Sequence, residues 1–164
     1  MTNTAGITIR KIRPEDNAAI ASVIRKTLEE FGANRPGTVY FDPTTDDLYR
    51  LFSRAGSSYQ VVENDQHILG GGGIYPSDGL PADTCELVKM YLLPEARGIG
   101  LGKKMIAGCL EAAARLGYRK VYLETMPELK DALKTYEKFG FKYLQGPMGN
   151  TGHFGCALWM IKEL

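Results

Sequence analysis

Arg97-Gly98-Ile99-Gly100-Leu101-Gly102 is the run whose residue types most clearly imply chemistry, and Lys103 and Lys104 follow it directly. Glycines let an anion approach the backbone, and the first turn of a helix offers unpaired N–H groups and a partial positive charge. The two lysines add side-chain cations at the same place. The chemistry this supports is phosphate binding. Two common phosphate loops do not fit. In a Walker loop, G-x-x-x-x-G-K-[ST], the first glycine would fall on Arg97, and Lys104 stands where Ser or Thr belongs. In a dinucleotide fingerprint, G-x-G-x-x-G, the last glycine would fall on Lys103 or Met105. A second chemical candidate is Glu86, flanked by Cys85 and Leu87, neighbours that would desolvate its carboxylate and raise its pKa.

A glycine turn also caps ordinary helices, so the surrounding elements decide how this one is read. Leu87 to Leu93 is an apolar, strand-like run stopped by Pro94. Past Gly102, Ile106, Cys109, Leu110 and Ala113 recur at helical spacing, and Gly117 is the C-cap. Upstream, Ile7 to Ile12 alternates as a strand. Pro14, Glu15 and Asp16 then open a helix with Ile20, Val23, Ile24, Thr27, Leu28 and Phe31 on its apolar face. Ala33 to Pro43 is a loop rich in groups that could contact a ligand, and Thr44 or Thr45 caps a second helix closed by Gly56. Tyr59–Glu63 and His67–Tyr75 form a hairpin. Its second strand holds four glycines, Gly70 to Gly73, which imply either a bulge or the close approach of another backbone or a ligand. Lys120–Thr125 is a further strand. Pro127 and Glu128 open a helix stopped by Gly140, and Phe141–Leu144 and Phe154–Ile161 are closing strands. The element order predicts a mixed α/β sheet with helices on both faces, in one domain over residues 1–164.

Composition excludes several classes. The 164 residues suffice for one domain with a real core, and 44% hydrophobic with 24% charged residues is a globular balance. A formal net charge of +1 gives no field that would favour nucleic acid or a membrane surface. No apolar run approaches the about 20 residues of a membrane span, and the N-terminus lacks the apolar core of a signal peptide. Cys85, Cys109 and Cys156 are odd in number and widely spaced, which argues for reduced thiols, against a zinc site, and for a cytoplasmic location. No metal is expected.

The segment Arg97 to Gly102, Arg-x-x-Gly-x-Gly after a strand ending Leu92-Leu93-Pro94, resembles the acetyl-CoA pyrophosphate loop of the GCN5-related N-acetyltransferases (GNAT). Tyr136-Glu137-Lys138-Phe139-Gly140-Phe141 resembles the second signature of that family, a Tyr followed closely by Gly-Phe. The element order matches over essentially the full chain. One position departs: many members carry an Asn seven residues before the Tyr, and here it is Leu129, which puts that one cofactor contact in doubt.

The resemblance implies a mostly antiparallel sheet whose central strands splay apart, with acetyl-CoA as co-substrate and direct transfer to an amine. It implies that Met90, Tyr91 and Leu92 pair with pantetheine through their backbone, one N–H stabilising the oxyanion. Amides of Arg97, Gly98, Ile99, Gly100, Leu101, Gly102 and Lys103 would hold the pyrophosphate. Glu86, eleven residues before Arg97, occupies a position where histone-acetylating members carry a catalytic glutamate. It is read as base, directly or through water; as a ligand for the substrate ammonium; or as a surface residue at a strand end. Tyr136 is read as the acid for the CoA thiolate or as a core aromatic. His153 is either an acceptor contact or a plain loop residue, and Cys156 is a weak candidate nucleophile. Arg35, Tyr40, Phe41, Tyr75 and His153 are the candidates for the acceptor pocket, with Arg35 hinting at an acceptor carboxylate. The expected acceptor is a small primary amine such as an amino acid. A protein lysine or N-terminus, and a CoA sensor without turnover, are the competing readings. Family habit implies a homodimer.

Overall fold

The computed structural model describes residues 6–164, and one seven-stranded sheet organises them in the order β1-β2-β3-β4-β5-β7-β6. In chain order the elements are β1 (Thr8–Lys11), α1 (Asn17–Glu30), α2 (Leu48–Leu51), β2 (Ser58–Glu63), β3 (Ile68–Tyr75) and β4 (Thr84–Leu92). There follow α3 (Leu101–Arg115), β5 (Lys120–Thr125), α4 (Lys130–Lys138), β6 (Lys142–Leu144) and β7 (Leu158–Glu163). Every neighbouring pair is antiparallel except β4 and β5, which are parallel. The fold is mixed α/β, with helices on both faces.

Alternation along β4 divides the core between those faces, because successive side chains of a strand point to opposite sides. Val88 joins Ile20, Ile24 and Leu28 of α1, while Cys85 and Leu87 join Ile106, Cys109 and Ala113 of α3. The buried positions of α1 are those read from its periodicity with Ala21 added; Phe31, which follows its last turn, is half-buried.

β4 is irregular at its centre. Gly71 pairs with Tyr91 and Gly73 with Val88, so Lys89 and Met90 together face the single residue Gly72. Such a bulge re-aims side chains and bends the strand. Lys89 has φ +52°, the left-handed value that only this non-glycine residue adopts among the described residues. The glycines serve both purposes expected of them. Besides the bulge, a Cβ on Gly70 would lie 2.3 Å from the Tyr91 carbonyl oxygen, so no larger residue fits.

Three expectations need correction. The second helix is a short 3-10 turn, Pro43–Asp46, followed by a single α turn, Leu48–Leu51. Two separate caps divide it: Asp42 accepts from the Thr44 amide and Asp47 from the Arg50 amide, with Asp47 outside helical geometry at φ −140°. The helix expected from Pro127 begins at Lys130. The last strand covers 158–163 rather than 154–161. The Gly155 amide donates to Gly37 O at 2.7 Å, which pulls 154–157 away from the sheet and toward the loop after α1. No helix among the described residues is long and apolar enough to cross a membrane.

Candidate active site

The parallel pairing of β4 with β5 stops early. Thr84, Cys85 and Glu86 pair with Lys120, Val121 and Tyr122; past Glu86 the two strands part, and β5 continues only with β7. The rest of β4 is left with a free edge. A cavity of about 490 Å³ occupies the gap.

One end of the cavity is the glycine loop, where Arg97, Gly98, Gly100, Gly102 and Lys103 line it. Gly98 and Gly100 have φ +76° and +85°, and Gly100 is the N-cap of α3. The first turn of α3 contains no acidic residue and carries Lys103 and Lys104. Cations at the positive end of a helix are unfavourable unless an anion joins them. The loop therefore has the geometry and charge to hold a phosphate. Ile99 and Leu101 turn their side chains into an apolar cluster with Met105 and Leu69. Arg97 is engaged elsewhere: its guanidinium makes two bonds to the Glu30 carboxylate, at 2.9 and 2.8 Å, and its Nε donates to Leu92 O. The side chain fastens the loop to the end of α1.

Met90, Tyr91 and Leu92 line the middle of the cavity with Thr125, Met126, Leu129 and Tyr136. Tyr136 lies in the core cluster of α3 and also lines the cavity. Burial pushes its hydroxyl up to about 12. Leu129, at the position where many members of the family carry an Asn, lines the cavity with an apolar side chain.

The far end is polar and buried. Glu86 is 2% exposed and accepts a 2.5 Å hydrogen bond from Ser77 Oγ on one oxygen; among the described residues its other oxygen has no partner. Burial pushes its carboxyl up to about 7; Ser77 opposes this, Glu124 adds to it, and His153 and Lys89 oppose it further. Glu124 accepts from Tyr122 OH at 2.8 Å and from Thr151 Oγ1. His153 Nε2 lies 2.9 Å from Asp42 Oδ2, and its Nδ1 is 3.7 Å from Glu124 Oε1. The same Asp42 oxygen takes Lys89 Nζ at 3.2 Å. Burial works against the Asp42 charge, yet His153, Lys89 and Thr44 hold it well below the usual carboxylate range. Burial lowers Lys89, against the pull of Asp42. Ligand atoms of Glu86, Glu124 and His153 lie within 4.8 Å of one another, a spacing suited to an ammonium group or to a metal ion. Cys156 also lines this end, its thiol pushed up to about 12 by burial with Glu124 and Glu86 adding to it.

Of the five residues expected at an acceptor pocket, His153 alone is on the cavity wall. Arg35 pairs with Glu128 at 2.7 Å, Tyr40 donates to Glu29, Phe41 is exposed, and Tyr75 packs against Phe52 and Arg54. The chain brings Lys89 and Glu124 there instead, and Asp42, which is not on the wall, pairs with Lys89 and His153. Lys89 had a visible signal, being the one charge inside the apolar run Leu87 to Leu93. Asp42 and Glu124 had none.

A sequence model described as the acetyltransferase (GNAT) family matches residues 20–141. A protein of Escherichia coli (strain K12), named Uncharacterized N-acetyltransferase YjgM, is 43% identical over 157 residues, 95% of this chain and 94% of that one. The crystal structure of a GNAT-family acetyltransferase from Staphylococcus aureus Mu50 superposes with a TM-score of 0.83 at 18% identity, over 96% of this chain and 98% of that one. The structure of yncA from Salmonella typhimurium with its cofactor acetyl-CoA superposes at 0.73 with 18% identity, over 96% and 94%.

Proposed function

The chain belongs to the GNAT family of acetyltransferases and is an N-acetyltransferase, and from that premise we propose that its cavity carries acetyl-CoA and passes the acetyl group directly to the primary amine of a small molecule. The observation that supports this most is one continuous cavity. It joins the glycine loop to a buried carboxylate through the break between β4 and β5.

In this reading the amides from Arg97 to Lys103 and the Lys103 side chain hold the pyrophosphate, and the free edge of β4 at Met90, Tyr91 and Leu92 aligns the pantetheine arm. Glu86 takes the proton of the incoming ammonium, directly or through water. The amine nitrogen then bonds to the acetyl carbon, the carbon–sulfur bond breaks, and the second proton shed by the nitrogen passes to the departing CoA sulfur. A β4 amide stabilises the oxyanion that forms between these events. Tyr136 donates a hydrogen bond to the leaving thiolate. A phenol held at about 12 stays protonated at neutral pH, but full transfer to a thiolate of pKa about 8.5 is uphill, so its part is stabilisation rather than complete protonation. Direct transfer is favoured over an acetyl-cysteine route because a Cys156 thiol held at about 12 is scarcely ionised.

The test is thiol release from acetyl-CoA across small amines and peptides. Release with small amines is expected, with kcat/KM rising about tenfold per pH unit below about 7 and levelling above it, as a base like Glu86 requires. Release with peptides alone would establish a protein acceptor. A flat profile through pH 7 would remove Glu86 as base.

Gly100→Ala tests the loop. No atom lies within 4 Å of an added Cβ, so the effect is one of backbone conformation: at φ +85° an alanine costs about 1–2 kcal/mol. A lower melting temperature and weaker acetyl-CoA binding by calorimetry are expected. Unchanged binding would separate the loop from the cofactor.

A further inference from the structure

We propose that the acceptor is a diamine or a larger cationic amine without a carboxylate beside its nitrogens, and that Glu124 selects it by binding the second ammonium. This rests on the reading of the cavity given above.

One carboxylate is enough to receive and deprotonate the amine that is acetylated, and Glu86 is that group. It is buried, lines the cavity and keeps one oxygen without a partner among the described residues. Glu124 is a second carboxylate on the same wall, with only 4% of its side chain exposed. Buried carboxylates are retained where a cation or hydrogen bonds compensate them. Here the hydrogen bonds to Glu124 come from neutral hydroxyls, those of Tyr122 and Thr151. Lys89 and His153 Nε2 both share Asp42 Oδ2, while His153 Nδ1 stands 3.7 Å from Glu124 Oε1, beyond hydrogen-bond reach. The acceptor end thus presents two carboxylates to a ligand.

The same arrangement disfavours an amino acid. Arg35, which suggested an acceptor carboxylate, is paired with Glu128 away from the cavity wall. An acceptor carboxylate at this end would face Glu86 and Glu124 with no unpaired cation on the wall beside them. An alkyl diamine places one nitrogen at Glu86 and the other at Glu124, whose ligand oxygens lie within 4.8 Å of one another, and its methylenes bridge the short gap between them.

The experiment compares three matched acceptors with the full-length enzyme at saturating acetyl-CoA: 1,4-diaminobutane, ornithine, which adds a carboxylate, and butylamine, which lacks the second nitrogen. The expected kcat/KM for 1,4-diaminobutane exceeds each of the others by about tenfold or more, the low end of what a charge-assisted hydrogen bond contributes. Glu124→Gln is expected to collapse the advantage over butylamine, chiefly through KM for the diamine. The wild-type comparison stands even if that variant folds poorly. Equal or better use of ornithine, or a diamine advantage that survives Glu124→Gln, overturns the proposal and leaves N-acetyltransfer to small amines standing. Activity lost to EDTA and restored by a divalent ion also overturns it, because Glu86, Glu124 and His153 would then be holding metal. No thiol release with any amine, while acetyl-CoA still binds, overturns the small-amine reading itself.

Discussion

Glu86→Gln is expected to lower kcat about a hundredfold or more, the ordinary contribution of a general base, while leaving acetyl-CoA affinity unchanged. Gln keeps the shape of the side chain and can still accept from Ser77 Oγ, so the hydrogen bond at 2.5 Å has a successor. What it cannot do is take a proton. The same substitution has a signature in stability. The carboxyl of Glu86 rises from 4.5 to about 7 in the folded chain because burial penalises its charge. The folded state therefore binds more protons than the unfolded one between those values. This contribution to stability is complete below about 4.5 and lost as pH rises through about 7. Glu86→Gln should remove that part of the slope in a series of melting curves. Full turnover at neutral pH in the variant would show that Glu86 binds the ammonium or fills space, without acting as base.

Asp42→Asn is expected to destabilise the chain by about 3–5 kcal/mol, the usual result of removing one partner from a buried ion pair. That is a large share of the about 5–15 kcal/mol by which domains of this kind are stable. Lys89 is the reason. Its side chain is 3% exposed and its ammonium sits 3.2 Å from Asp42. Its backbone is held at φ +52°, at the centre of the β4 bulge, so it cannot swing out to water without disturbing the strand. Without Asp42, Lys89 is driven to lose its proton. An unfolded lysine keeps its proton to about 10.4, while the folded one in this variant gives it up earlier. The unfolded state then binds more protons, so the deficit should be larger near about pH 6 than near about pH 9. Asp42→Asn combined with Lys89→Met removes both charges and should recover more than half of the loss in urea denaturation. A double variant no more stable than the single one would mean that Asp42 acts through His153 and Thr44 alone.

The two variants probe different links in one structure. The bulge at Lys89 follows Glu86 by three residues, on the stretch of β4 that no longer pairs with β5 and that lines the cavity.

The local part of this protein was written in its sequence. Glycine spacing from Gly98 to Gly102 before a helical period marks an anion loop, since backbone conformation and helix-end charge are set by residues a few positions apart. The apolar periods of α1 and α3, the strand after Tyr59 and the two family signatures are local in the same way. Glu86 drew attention through its apolar neighbours, yet Cys85 and Leu87 point to the α3 face of the sheet, so its burial is set by the tertiary structure. The composition of the acceptor end was decided by tertiary structure. Asp42, Lys89, Glu124 and His153 come from a loop, a bulge, a strand end and a second loop, up to 111 positions apart, and only the register of the sheet and the bulge at Gly72 bring them together. Arg35, Tyr40, Phe41 and Tyr75 had suitable chemistry for that wall but found partners elsewhere. Which groups share a cavity depends on the direction each side chain takes from the folded backbone, and residue type alone does not carry that information.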